Sequence, residues 1–298
     1  MAHAHAPRSG GLRLALLLTA AVAALELAGG LLAHSLALLA DSAHVLMDVV
    51  ALGISIVAQW QAGRPATSRQ TYGFARLEIL AALANGALLL AVTILIVVEA
   101  VHRLRAHELP AGGLMIAVAA VGVSINTVVG LTLARRAHAD LNVKAALYHV
   151  AGDALGGLAV VIGGVLVLFA RIAWVDPALS LLVCVLIVIG VLQIMREAAD
   201  ILLESTPAHV DMQALRGRIR TIAGVVDVHD LHVWTIGAAS HALSAHILLE
   251  DKRISEATAI LQQLDARLRE DFDISHVTIQ FECESCGVDD RIVCTQIP

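Results

Sequence analysis

The stretch LLADSAHVLMDVVALG, residues 38–53, contains three titratable residues, Asp41, His44 and Asp48, in a run that is otherwise apolar. Burying such groups away from water costs free energy unless they are paired with one another or bind a metal ion. His44 and Asp48 are four residues apart, so in a helix their side chains lie on the same face. The stretch therefore predicts a helix that carries a functional site within an apolar environment.

The composition identifies that environment as a lipid bilayer. Hydrophobic residues make up 58% of the 298 residues, charged residues only 15%, and the mean hydropathy is +0.79. Soluble domains contain about 25% charged residues. A helix needs about 20 mainly apolar residues to cross the bilayer. We therefore expect an α-helical membrane protein with six transmembrane helices, near residues 12–33, 36–60, 77–101, 112–134, 145–170 and 177–196.

Basic residues in the connections predict the orientation of the spans, because Lys and Arg are enriched in cytoplasmic loops. With the N-terminus inside, nine of these residues fall in cytoplasmic segments and three in outer loops. Arg103 and Arg105, both in an outer loop, oppose this assignment. We expect both termini in the cytoplasm. The compact length and the composition rich in Ala, Leu and Arg favour a bacterial inner-membrane protein.

The stretch LYHVAGDALGG, residues 147–157, repeats the arrangement in the fifth span, with His149 and Asp153 four residues apart. Two helices that meet along these faces gather two imidazoles and two carboxylates, and four N and O ligands in a tetrahedron suit Zn²⁺. A single such residue could equally be hydrogen-bonded between helices, but ionisable residues in spans usually mark an ion pathway. Asp41, one turn before His44, either steers cations or, as we favour, has a structural role. Small residues in the stretch are expected to let neighbouring helices pack closely: Ala151, Gly152, Ala154, Gly156 and Gly157.

Residues 207–298 have the character of a separate soluble domain. They carry a net charge of −6, whereas the first 206 residues are neutral overall. This charge argues against nucleic acid as a partner and suits a domain that meets cations. Apolar patterns predict the order α-β-β-α-β, ending in the strand HVTIQFEC at 276–283. We divide the chain into a disordered tail at 1–11, a transmembrane domain at 12–206, a cytosolic domain at 207–283 and a cysteine-containing tail at 284–298.

The sequence resembles the cation diffusion facilitator family, in its zinc-transporting branch. The pairing of HxxxD motifs in the second and fifth spans is specific to that family. The resemblance extends from about residue 12 to residue 283 and is carried by LLADSAHVLMD at 38–48, YGFARLEILAALANG at 72–86, HVAGDALGG at 149–157, DILLESTP at 200–207, VHDLHVW at 228–234, SAHILLE at 244–250 and TIQFE at 278–282.

The resemblance implies a homodimeric antiporter that exports Zn²⁺ from the cytosol in exchange for protons. The transported ion would bind in a tetrahedral site between the second and fifth spans, formed by His44, Asp48, His149 and Asp153. A ferredoxin-like cytosolic domain would bind metal and mediate dimerisation. Protons would displace the ion on the outer side, because metal ligands must be deprotonated.

The resemblance also implies zinc in the cytosolic domain, at His229, His246, His276 and Glu282, with Cys283 and Cys286 as a clip that can reach a neighbouring subunit. His276 and Glu282 share the polar face of one predicted strand, and His229 and His246 lie on the two arms of a predicted hairpin. The alternative is a set of polar surface residues that bind no metal.

His229 and His232 are three residues apart, so a regular strand points them to opposite faces. We predict His229 as a ligand and His232 as a residue that packs with Trp234. Cys283 and Cys286 form a CxxC pair, which in the cytosol indicates a metal clip or a redox pair more than a structural disulfide.

In this family a charge pair ties the spans to the soluble domain, and Arg76 and Glu204 occupy the matching positions; two unrelated charges are the alternative. The connection before the third span contains neither His nor Asp, and the one before the fifth has a single histidine, His138. We expect no further metal site in either connection. A membrane zinc hydrolase is disfavoured because HELPA, residues 107–111, lacks the second histidine of HExxH. A metal sensor would not require ligands inside the membrane.

Overall fold

The computed structural model describes residues 9–62, 66–106, 108–134, 141–237, 240–250 and 253–283. The chain divides into two compact units. One is formed by Met1–Ile56 with Ala82–Met195, and the other by Val57–Ala81 with Arg196–Pro298.

Long helices form the first two thirds of the described chain: α1 (Ser9–Ala33), α2 (Leu36–Ala62), α3 (Arg76–Ala106), α4 (Gly112–Ala134), α5 (Leu141–Val165) and α6 (Val175–Leu202). A π-helical turn, Leu166–Ala170, extends α5. Among the described residues, four helices are long and apolar enough to cross a membrane, namely α3, α4, Leu147–Ala170 and α6, while the apolar part of α1, Leu17–Ala33, is shorter. The prediction of a helical membrane domain is confirmed, and the six crossings stay a prediction.

Glycines of α5 have two different roles in the first unit. A Cβ atom on Gly157 would lie 2.8 Å from Cγ2 of Val123 in α4, so this glycine permits the close approach of the two helices. Gly152 and Gly156 have no such neighbour within 4 Å and line a cavity instead. Close packing was therefore the right prediction for Gly157 and the wrong one for Gly152 and Gly156.

A buried carboxylate fixes the start of α2. Asp176, in the first turn of α6, is 1% exposed. It accepts hydrogen bonds from Oγ of Ser35 at 2.5 Å and from the backbone N–H groups of Leu36 at 2.8 Å and Ala37 at 3.3 Å. The first N–H groups of a helix have no partner within the helix, and Asp176 satisfies two of them.

The turn between α1 and α2 is held from two further directions. His34 has a positive φ of 50°, and its carbonyl oxygen accepts a hydrogen bond from Nη1 of Arg103 at 2.6 Å. The N–H of Ala111 donates to the carbonyl of Ala33 at 2.8 Å. The α1–α2 turn is therefore bonded to α3, to the α3–α4 connection and to α6.

The soluble part of the second unit has the predicted order α-β-β-α-β: α7 (Met212–Arg220), β1 (Val225–Gly237), β2 (Ser240–Leu249), α8 (Ile254–Phe272) and β3 (Ile274–Glu282). The sheet order is β1-β2-β3, with β1 and β2 antiparallel and β2 and β3 parallel. Leu215 and Ile219 of α7 and Leu264 and Leu268 of α8 are buried in one core with the inward-facing residues of the strands.

Strand β1 contains a bulge, and it changes which side chains share a face. His229 is opposite His246 and His232 is opposite Ser244, so three residues of β1 cover the length of two residues of β2. Asp230 within the bulge has a positive φ of 49°. Buried residues on either side of the bulge show the same break in alternation: Val228 before it, and Leu231 and Val233 after it.

The bulge corrects the prediction for His232. One extra residue restores His229 and His232 to the same face of the sheet, whereas a regular strand would have separated them. The side chain of His232 contacts Asp230, with Nε2 at 3.0 Å from Oδ1.

Candidate metal sites

A cavity of about 520 Å³ lies in the first unit, between α2, α3, α5 and α6. The four predicted transport ligands line it: His44 and Asp48 from α2, and His149 and Asp153 from α5. Asp41 lines the same cavity and is 9% exposed. The two helices thus bring their polar faces to the same cavity.

The imidazoles and carboxylates of this site are close to one another. Nε2 of His149 is 3.1 Å from Oδ2 of Asp48 and 3.6 Å from Oδ2 of Asp153. Nε2 of His44 is 3.9 Å from Oδ2 of Asp48 and 3.9 Å from Oδ1 of Asp153. One ligand atom each of His44, Asp48 and His149 lies within 4.8 Å of the other two. Asp153 is outside that group but contacts both histidines.

These separations match the edges of a small coordination polyhedron. Ligand atoms held about 2.0–2.1 Å from Zn²⁺ in a tetrahedron are about 3.3 Å apart, and the four measured N–O distances run from 3.1 to 3.9 Å. Nδ1 of His44 is buried without a hydrogen-bond partner. The arrangement can gather around a dication with small side-chain movements.

A second group of potential ligands lies in the soluble domain. It consists of His229 on β1, His246 on β2 and Glu282 on β3. Nε2 of His229 is 3.3 Å from Oε2 of Glu282, and Nδ1 of His246 is 2.9 Å from Oε1. The two rings are 5.4 Å apart. Oε2 of Glu282 is buried and makes no hydrogen bond, which leaves an acceptor suited to a metal ion.

Among the described residues, two other predicted ligands, His276 and Cys283, do not belong to this group. His276 lies opposite Ala242 on β2, whereas Glu282 lies opposite Leu248. Six residues along a strand span about 20 Å, so the shared face does not bring His276 near Glu282. The ring of His276 instead contacts that of Tyr72, with centroids 5.5 Å apart. Cys283 is an exposed free thiol, and Cys286 lies outside the described residues.

Asp230 is a candidate that the sequence analysis missed. Its Oδ1 is 3.0 Å from Nε2 of His232, and its Oδ2 is 3.8 Å from Nε2 of His246. The run His-Asp-Leu-His at 229–232 was the available signal, but regular alternation assigned only one histidine to the polar face.

Arg76 and Glu204, predicted as a charge pair, form a salt bridge. Nη2 of Arg76 is 2.8 Å from Oε1 of Glu204. The guanidinium donates the hydrogen bond to the carboxylate. Both side chains are substantially exposed, at 39% and 56%.

A helical membrane domain with a cavity lined by histidines and aspartates, followed by an αββαβ domain with a second group of potential metal ligands, fits the class of membrane cation transporters. Residues 12–203 match the cation efflux transmembrane domain, and residues 207–284 match the cytoplasmic domain of cation efflux proteins. The chain therefore belongs to the cation efflux family, the cation diffusion facilitators. It is an efflux transporter of divalent cations and not an enzyme.

Two relatives and one solved structure illustrate the similarity. The chain is 36% identical to the zinc transporter ZitB of Escherichia coli over 270 residues, or 90% of this chain and 85% of that protein. It is 33% identical to the cadmium, cobalt and zinc/H(+)-K(+) antiporter of Bacillus subtilis over 273 residues, or 91% and 88%. The metal-bound C-terminal domain of the CzcD transporter from Cupriavidus metallidurans is 36% identical, matches 24% of this chain and 99% of that chain, and gives a TM-score of 0.23.

Proposed function

We propose that the protein exports Zn²⁺ from the cytosol in exchange for protons and that His44, Asp48, His149 and Asp153 bind the transported ion. The observation that carries this proposal is the meeting of two imidazoles and two carboxylates, at N–O distances of 3.1–3.9 Å, beside a cavity of about 520 Å³. Zinc favours this donor set. The names of the E. coli and B. subtilis relatives include zinc, and the second also includes H⁺, which supports the cargo and the counter-ion.

Proton coupling follows from the chemistry of the ligands. Imidazole and carboxylate groups bind a metal ion only in their deprotonated forms, so the same four side chains hold either Zn²⁺ or protons. In the inward-open state the ion displaces protons from the site. In the outward-open state protons displace the ion, and the protonated site returns. Asp41 borders the cavity, and we assign it a structural role because it is not in the ligand group.

We further propose six spans within residues 12–206, with both termini in the cytosol, in the inner membrane of a bacterium. Residues 207–283, taken as a ferredoxin-like domain, would pair two copies of the chain into a homodimer. The family description of residues 207–284 as a cytoplasmic domain supports this orientation. Arg76 and Glu204 would couple the start of the third span to the segment after the sixth, through their 2.8 Å salt bridge.

A resident zinc ion in the soluble domain is the second part of the proposal. His229, His246 and Glu282 would hold it, because two imidazoles and a carboxylate whose buried Oε2 makes no hydrogen bond fit this ion. Cys283 and Cys286 would add thiolates from a neighbouring subunit. We leave His276 out of the ligand set because of its distance along β3. Bound zinc would stiffen the domain by joining its three strands.

Zinc uptake into liposomes tests the transport site. The purified protein is reconstituted, a pH gradient is imposed, and a zinc-sensitive dye reports the initial rate. We expect His44→Ala to reduce uptake to the rate of protein-free liposomes. His102→Ala is the matched control, because His102 on α3 does not line the cavity, and it should transport normally. Unchanged uptake in His44→Ala would overturn the assignment of the site.

A further inference from the structure

A second cavity, of about 330 Å³, lies in the second unit, between the α2–α3 connection and strand β1. Trp234 and Ile236 of β1 form an apolar wall, and none of the lining residues is a proposed metal ligand. The polar part of the lining comes from the connection and from the start of α3: Arg69, Gln70, Thr71 and Arg76. The chemistry of this cavity therefore differs from that of either metal site.

The ends of two spans contribute to the lining of this second cavity. Arg76 is the first residue of α3, and Glu204 follows the last residue of α6, Leu202, by two positions. Both helices are long and apolar enough to cross a membrane. Trp60, near the end of α2, and Tyr72 in the lining are 64% and 55% exposed, and Trp and Tyr are enriched where a membrane meets water. We therefore place the second cavity at the level of the lipid headgroups.

The two guanidinium groups of the second cavity have donors to spare. Arg69 is exposed, and within the described part of the chain it forms no hydrogen bond or ion pair. Arg76 donates through Nη2 to Oε1 of Glu204 at 2.8 Å, which uses one of the five N–H groups of a guanidinium. Two arginines and one glutamate give the lining a net charge of +1. The fork of N–H donors on each arginine matches the oxygens of a phosphate group.

Hydrogen bonds within the α2–α3 connection fix the shape of the second cavity. Oγ1 of Thr67 donates to Oε1 of Gln70 at 2.7 Å, and the backbone N–H of Gln70 donates back to Oγ1 at 3.0 Å. The side-chain N–H groups of Gln70 are left for another acceptor. The connection also packs directly on β1, because a Cβ atom on Gly237 would lie 2.6 Å from that of Ala75. Such a preformed site loses little freedom when a ligand binds.

We propose that the second cavity binds the phosphate group of an anionic lipid through Arg69, Gln70 and Arg76. Phosphate oxygens accept charge-assisted hydrogen bonds, and arginine donates them in pairs. Anionic lipids give the cytoplasmic membrane surface the negative potential that attracts basic segments, and the proposed orientation places the cavity on that side. A bound lipid would attach the α2–α3 connection to the bilayer beside the Arg76–Glu204 salt bridge. The inference rests on the proposed orientation and on neither metal site.

Native mass spectrometry of the full chain in detergent tests this proposal, because it counts the phosphatidylglycerol molecules bound as the lipid is titrated. We expect Arg69→Gln to raise the dissociation constant of the first phosphatidylglycerol about tenfold, since a charge-assisted hydrogen bond to phosphate is lost. The salt bridge between Arg76 and Glu204 is retained in this variant. Arg196→Gln is the matched control, because Arg196 is exposed near the end of α6 and does not line the cavity. It should bind the lipid as the unsubstituted protein does.

Two competing ligands identify what the second cavity recognises. Phosphatidylcholine, which has no net charge, should bind more weakly than phosphatidylglycerol, and inorganic phosphate at the same concentration should not displace the bound lipid. Equal binding of the two lipids would overturn the requirement for an anionic lipid. Displacement by inorganic phosphate would assign the cavity to a free anion and overturn the lipid assignment.

The variants decide whether Arg69 belongs to the site. An unchanged dissociation constant in Arg69→Gln, or an equal increase in Arg196→Gln, would overturn the proposed cavity in favour of general attraction between lipid and basic residues. The unfolding midpoint without lipid should be the same for Arg69→Gln and the unsubstituted protein, because Arg69 is exposed. If Arg69→Gln unfolds, Arg69→Lys repeats the comparison, because it keeps the charge and loses the fork of donors. It should then weaken phosphatidylglycerol binding, and an unchanged affinity would overturn the proposal.

Discussion

Asp176 of α6 and Ser35, just before α2, share a hydrogen bond of 2.5 Å in a fully buried setting. The same carboxylate caps the first N–H groups of α2, the helix that carries His44 and Asp48. The position of two proposed zinc ligands therefore depends on a residue about 130 positions further along the sequence.

Replacing Asp176 tests that dependence. We expect Asp176→Asn to destabilise the protein by about 1–3 kcal/mol, because the amide offers one oxygen acceptor and directs an NH₂ group at buried donors. The measurement is the thermal unfolding midpoint in detergent. Asp200→Asn, at an exposed position of the same helix, should leave the midpoint unchanged. Equal unfolding midpoints for the unsubstituted protein, Asp176→Asn and Asp200→Asn would show that the hydrogen bonds of Asp176 contribute no stability.

Zinc binding at the transport site should weaken as pH falls. Each proton that must leave a ligand before zinc binds makes the dissociation constant rise by up to about tenfold per pH unit. The Glu282→Gln variant, which lacks a ligand of the proposed cytosolic zinc site, is titrated with zinc at about pH 7.5 and pH 6, and the two dissociation constants are compared. A dissociation constant independent of pH would contradict competition between zinc and protons.

The salt bridge between Arg76 and Glu204 should matter more for transport than for stability. Exposed pairs contribute about 0.2–1 kcal/mol to stability. We expect Arg76→Glu to slow uptake by placing two carboxylates together, and the exchanged pair, Arg76→Glu with Glu204→Arg, to recover part of the rate. A double-mutant cycle compares the zinc uptake rates and the unfolding midpoints of the two single variants and the double variant. Additive effects on the rate would rule out a functional coupling.

The soluble domain contains one histidine, His241, whose protonation opposes folding. The rings of His209 and His241 are 4.9 Å apart. Burial lowers the pKa of His241 from its ordinary value of 6.5, the nearby His209 lowers it further, and Asp273 partly opposes both. The unfolded chain therefore takes up a proton at this position at a higher pH than the folded chain does.

The sign of the pH dependence follows. The stability that His241 contributes is complete above about pH 6.5, and it decreases as pH falls through that value towards the lowered folded pKa. We expect His241→Gln to flatten the decrease in unfolding midpoint of the soluble domain between about pH 7.5 and pH 5.5. His276→Gln should retain the slope of the parent protein. A slope that survives in His241→Gln would assign the pH dependence to other groups.

The meeting of the four proposed transport ligands could be predicted from sequence because helical geometry is local. Four-residue spacing fixes His44 with Asp48, and His149 with Asp153, on a common face whatever the angle between the helices. The apolar surroundings then leave each polar face a single favourable partner, the other polar face. The same local geometry could not tell that Gly157 meets Val123 while Gly152 and Gly156 face the cavity.

The soluble domain shows where local patterns fail. Alternation assigned His276 and Glu282 to the same polar face of β3, but a shared face does not specify the distance along the strand. In β1, no Gly or Pro marks the bulge at Asp230. In the structure the bulge is visible in the spacing of buried Val228 and Leu231, which is three residues and not two.

Because the turn before α2 is anchored, a tilt of α2 about that turn would move the residues further along the helix. Asp48 follows Leu36 by twelve residues, which places it about 18 Å along the axis from the fixed end. A tilt of about 10° around that fulcrum would displace Asp48 by about 3 Å and His44 by about 2 Å, enough to close or separate the pairs with α5. A small tilt about the anchored end of α2 would therefore be sufficient to bring the proposed zinc ligands of α2 and α5 together or to separate them.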